Sequence, residues 1–124
     1  MWCETNKIVN GLYFKQTCVI SPEQYDVFLN EKYVAYVRCR YRHLTVCPIL
    51  KDVIIPNVIN ITDNDYCDIM DKANKIDDCI DFEHPFYEKY YDDENEYRSE
   101  INKDDFDIIA NEIYKHLEKK EESN

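Results

Sequence analysis

One glycine, Gly11, serves the whole 124-residue chain, and that scarcity limits both how the backbone turns and what chemistry it supports. Glycine takes positive φ at no steric cost, so tight turns and phosphate loops depend on it. Here it follows Asn10 and lies between Ile8-Val9 and Leu12-Tyr13-Phe14. Asn-Gly between two apolar runs signals a β-hairpin with a type I′ turn, in which both central residues have φ above zero. The pattern predicts a first hairpin whose second strand runs through residues 15 to 20. The same scarcity excludes Walker and dinucleotide phosphate loops and the serine elbow of hydrolases, each of which needs several glycines close together. Kinase, nucleoside triphosphatase and dinucleotide oxidoreductase activities fall away with them.

Further strands follow from residue type and alternation. Ser21-Pro22-Glu23-Gln24 carries a helix start signal, and a short helix over residues 22 to 29 is one reading. The strand formers Tyr25, Val27, Phe28 and Leu29 favour the other, a meander that turns at Asn30-Glu31-Lys32 into Tyr33-Val34-Ala35-Tyr36-Val37. From there Ala35, Val37, Cys39 and Tyr41 share one strand face and Arg38, Arg40 and Arg42 the other. One side is read as core and the other as basic. Leu44 to Cys47 is a return strand, and Val53-Ile54-Ile55 with Val58 to Ile61 is a further run that Pro56 pushes toward an edge or bulge.

Helical spacing takes over after Thr62. Thr62 with Asp65 has the side-chain pattern of a capping box, and Tyr66, Ile69, Met70, Ala73 and Ile76 recur on one stripe, which predicts a helix over residues 63 to 76. Asn102 with Asp105 repeats the start signal, and Phe106, Ile109, Ala110, Ile113 and Leu117 form the stripe of a final helix. Acids at its amino end and Lys115, Lys119 and Lys120 at its carboxyl end complement the helix dipole. The fold class expected is α+β, an antiparallel β-meander in the N-terminal half backed by two or three C-terminal helices. One domain is expected over residues 1–124: 1–61 mainly β, 62–117 mainly α with an acidic segment at 77–105, and 118–124 a frayed tail.

Cysteine, histidine and carboxylate are residue types with reactive side chains. Cys39, His43 and Cys47 are evenly spaced, and a turn near His43 would bring both thiols to one zinc site; small apolar thiols packed in a sheet are the stronger reading. Cys-His nucleophiles built from Cys39 or Cys47 with His43, or from Cys79 with His84, rest on sequence spacing alone. Asp63, Asp65, Asp68 and Asp71 lack the glycine and terminal Glu of a calcium loop. Paired carboxylates abound, but acid-base catalysis needs two acids in distinct environments within a cleft. No enzyme, cofactor or metal is expected. The first residues show no basic region leading into an apolar core, and no run approaches the roughly 18 apolar residues of a membrane span. A cytoplasmic protein with reduced thiols follows, lying in the host cell cytoplasm if the source is viral.

Charge is distributed unevenly. Residues 1–50 hold six Lys or Arg against four acids, whereas residues 51–124 hold nine against twenty-two, giving +2 and −13. Such a field repels nucleic acid and anionic membrane and attracts cationic grooves. Asp77, Asp78, Asp81, Glu83, Glu88, Asp92, Asp93, Glu94, Glu96 and Glu100 crowd one segment together with Tyr87, Tyr90, Tyr91 and Tyr97. Neighbours at i and i+2 of a strand are about 6.7 Å apart, and those at i and i+4 of a helix about 6 Å. Rows of carboxylate on either scaffold imitate a duplex, which carries one charge per roughly 1.7 Å of axis. The tyrosines add stacking on a partner's Arg or fill its pockets. The expectation is a small acidic inhibitor that occupies the basic groove of a nucleic-acid-handling protein without binding nucleic acid, as a phage counter-defence factor or a nuclease immunity protein does. The alternative is a non-enzymatic docking subunit of a larger complex, and the plainer reading is a solvated loop whose tyrosines pack on the sheet. Arg38, Arg40 and Arg42 are expected to pair internally with carboxylates or with the acidic face of a second copy in a homodimer.

Overall fold

Three two-residue turns generate most of the sheet. At Asn10-Gly11, Asn30-Glu31 and Tyr41-Arg42 the φ angles are 50° and 85°, 49° and 75°, and 52° and 66°, the left-handed pairs of type I′ turns, whose twist matches that of the strands they join. The computed structural model describes residues 6–18, 23–49, 52–76, 84–92, 94 and 100–122. It contains strands β1 (Lys7–Val9), β2 (Leu12–Cys18), β3 (Glu23–Leu29), β4 (Lys32–Arg40), β5 (His43–Pro48) and β6 (Tyr87–Tyr90), with helices α1 (Asp63–Ile76) and α2 (Asp105–Glu122). The strands form one antiparallel sheet in sequence order. The fold is α+β, with two helices among the described residues. The segment 23–29 is strand rather than helix, and it pairs with β2 and β4 along its length.

Alternation along the strands feeds two cores, one on each face. Leu12, Phe14, Tyr25, Val27, Val37, Cys39, Leu44 and Val46 pack with Phe106, Ile109, Ala110 and Ile113 of α2. Tyr13, Phe28, Tyr33 and Tyr36 face the other way, onto Tyr66 and Met70 of α1 and onto Ile49, Val53, Ile55 and Val58. The two helices therefore lie on opposite faces of the sheet. Aromatic side chains anchor each layer. Phe14, Tyr25 and Phe106 meet edge to face with centroids 5.5 to 6.0 Å apart, and Phe28 stacks on Tyr33 at 5.2 Å. Burying each such ring contributes about 1.5–3 kcal/mol.

Local signals account for the helix starts. Thr62 Oγ1 accepts from Asp65 N at 3.2 Å and Thr62 O from Tyr66 N at 2.9 Å, which satisfies two donors of the first turn. At α2 the Asp105 amide donates to Asn102 O at 2.9 Å, while the Asp105 side chain turns inward.

Four expectations are corrected. The face carrying Arg38 is not simply basic, because its other half holds the α1 core. Tyr41 and Arg42 form the β4–β5 turn rather than extending the strand, and Tyr41 is exposed. Residues 53–61 are not a strand: Ile54 makes one isolated bridge to Lys32 and turns follow, with Asn57 at φ 56°. This segment instead supplies apolar cover for the α1 face. Finally, α2 continues to Glu122, so the charged end is helical where a fray was expected at 118.

Candidate interaction surface

β6 closes one edge of the sheet, and its alternation divides the acidic segment between inside and outside. Tyr87 is half-buried against the α2-side core, and burial pushes its hydroxyl pKa up. Lys89 Nζ lies 3.0 Å from Asp105 Oδ1. Tyr91 is 4% exposed and donates to Asp105 Oδ2 at 2.5 Å; burial, then that bond, holds its hydroxyl well above the ordinary tyrosine range. Asp105 is itself buried at the start of α2, where a carboxylate also meets the positive end of the helix dipole. Tyr91 is thus an interior residue, not a surface anchor, because the period of two after β6 turns it under α2.

Glu88 and Tyr90 face outward. Tyr90 is 59% exposed, and Arg42 Nη2 donates to its hydroxyl at 2.7 Å, with the guanidinium carbon 4.9 Å from the ring centroid. His43 Nε2 and Glu88 Oε2 share a hydrogen bond of 2.7 Å, and His43 is the register partner of Tyr90. Arg40 stacks on Tyr41 at 4.9 Å. Arg40 is exposed and Arg38 half-exposed, and neither forms an ion pair with a described carboxylate. The arginines of this corner meet tyrosine rings of their own chain, so Tyr90 already has a guanidinium partner.

Beyond β6 the exposed acids continue with Asp92, Glu94 and Glu100. Of the carboxylates and tyrosines singled out from the sequence, Glu88, Tyr90, Asp92 and Glu94 therefore follow one another along or just past this edge. Asp77, Asp78, Asp81, Glu83, Asp93, Glu96 and Tyr97 lie outside the described residues, as does Cys79 of the Cys79 and His84 pair. Exposed acid is not confined to the edge: Asp63, Asp65, Asp68 and Asp71 lie on α1 and Asp104 and Asp107 at the start of α2, on opposite sides of the sheet.

The zinc arrangement does not assemble. Cys39 is in the α2-side core, where its thiol donates to Glu100 O at 3.7 Å. Cys47 alternates with Leu44 and Val46 onto the other face, and His43 is engaged with Glu88. Among the described residues no group of three metal-ligating side chains converges.

One polar cluster is built by contacts that the sequence pattern does not announce. Asp26, 6% exposed on the α1 face, accepts from Tyr33 at 2.5 Å and from Tyr66. Burial raises its pKa, while the two tyrosine bonds and nearby Lys15 pull it back. The available signal was a charge set between Tyr25 and Val27 in a strand with Phe28, cross-strand from Lys15 and Tyr36. No protein-family model matches the chain, no curated protein matches it, and no solved structure matches it.

Proposed function

We propose that this chain is a non-enzymatic acidic binding protein that docks on the basic groove of a nucleic-acid-handling protein and blocks it, acting in the cytoplasm in the manner of a phage counter-defence inhibitor or nuclease immunity protein. The observation that carries the reading is the run of exposed carboxylates at and after the edge strand, Glu88, Asp92 and Glu94, with exposed Tyr90 among them. The −13 charge of residues 51–124 supports it by favouring encounter with a cationic surface and opposing contact with nucleic acid. No described helix is long and apolar enough to cross a membrane.

Affinity capture at low and high salt, followed by mass spectrometry, tests the reading. Capture of a nuclease, polymerase or restriction factor that added DNA displaces supports groove blocking. A partner retained in excess DNA replaces it with plain docking. Asp92→Lys with Glu94→Lys should slow association about tenfold or more at low salt, because steering charges act on the on-rate; an unchanged on-rate removes this edge from the interface.

A further inference from the structure

Lys15 is the second charged residue buried on the α1 face, with 6% exposure. Lysine is almost never buried to this degree without a partner, because its ammonium loses hydration. Its cross-strand neighbour Asp26 is committed to Tyr33 and Tyr66. Lys15 Nζ forms a long ion pair with Asp63 Oδ1 at 3.6 Å and lies 4.8 Å from the Tyr66 ring centroid, with no hydrogen bond among the described residues. An ammonium has three protons to donate. Lys15 is one of the residues lining an open cavity of about 420 Å³ between β2 and the first turns of α1, with Thr17, Asp63, Asn64, Tyr66 and Cys67 among the others. That size falls within the range of small-molecule sites, which pair an enclosed wall with a few polar groups.

We propose that this cavity binds a small organic anion, whose carboxylate or phosphate oxygens accept the hydrogen bonds of the Lys15 ammonium. Thr17 and Asn64 supply neutral donors on its walls, and the positive end of the α1 dipole lies at its mouth. Asp63, largely exposed, is the internal stand-in that swings away when the ligand enters. The site is independent of the β6 edge, which belongs to the other end of the sheet order.

Titration of the ¹⁵N-labelled protein with sodium benzoate and, separately, with inorganic phosphate tests this by NMR. Saturable shifts centred on the Thr17, Asn64 and Cys67 amides are expected with at least one probe, and the responding probe identifies the head group. Lys15→Met, which keeps the stem and removes the charge, should weaken binding at least tenfold. Asp63→Asn should strengthen it several-fold by removing the competing carboxylate, and this exposed change reads out even if Lys15→Met does not fold. No saturable shift at these amides with either probe, equal binding by Lys15→Met, or unchanged affinity in Asp63→Asn overturns the proposal.

Discussion

Tyr66→Phe removes one oxygen atom from the molecule and tests how a buried carboxylate is tolerated between the sheet and α1. The ring, buried and edge-on to Phe28 at 6.1 Å, stays in place, so almost no apolar burial changes. What is lost is one of the two bonds to Asp26. Burial keeps the Tyr66 hydroxyl far above its ordinary pKa, so it is a donor at every working pH. A hydrogen bond to a charged acceptor contributes about 1.5–3 kcal/mol, and one to a neutral acceptor about 0.5–1.5 kcal/mol. Asp26 titrates between these cases. Its folded pKa lies above 3.8, so its contribution to stability is fully present below 3.8 and is lost as pH rises through the folded value. Deleting Tyr66 Oη takes away a group that holds this pKa down and moves it further up. The variant should therefore lose about 2 kcal/mol near pH 8, with the loss shrinking as pH falls toward the ordinary carboxylate range. Urea denaturation followed by far-UV circular dichroism, from about pH 8 to about pH 5, measures the difference. A loss that grows as pH falls, or one under about 0.5 kcal/mol throughout, would refute the reasoning.

Three further substitutions probe other parts of the fold. Phe106→Ala removes the ring that meets both Phe14 and Tyr25 and that Lys7 Nζ covers at 3.8 Å; it should cost about 3–5 kcal/mol in urea denaturation. Asp105→Ala leaves Lys89 and the buried Tyr91 hydroxyl without their shared acceptor. It should cost about 2–3 kcal/mol, less than breaking a fully buried pair because Lys89 keeps partial exposure. Gly11→Ala places a Cβ at φ +85°, 3.2 Å from the Tyr114 hydroxyl, which donates to Asn10 O; a loss of about 1–2 kcal/mol, read as a lower melting temperature, is expected.

The parts that were legible have local causes. Asn10-Gly11 announces its turn because those residue types tolerate positive φ. Thr62, Asp65 and the stripe from Phe106 to Ile113 mark helices because capping and a period of 3.6 need only near neighbours. The Tyr41-Arg42 turn carries no such mark. Two non-glycine residues hold positive φ there at about 1–2 kcal/mol each, less for residues suited to it, because the pairing of β4 with β5 from Arg40 and His43 to Ala35 and Pro48 outweighs the strain. Tyr87 and Tyr91 sit beside carboxylates in the sequence, yet their position opposite α2 half-buries the first and buries the second, and among the described tyrosines of that segment the exposed ring is Tyr90. Asp26 and Lys15 carry no mark of burial in the local sequence; both are buried on the face that α1 covers.

Sequence alone determined the class of structure, the two helices and the acid excess of the later half, since residue type, period and charge are properties of the chain. Tertiary structure decided which face each helix covers, which tyrosines are exposed and which buried charges border a cavity. Those outcomes depend on contacts between residues far apart in the chain, such as Asp26 with Tyr66 and Tyr91 with Asp105, and no local pattern encodes them.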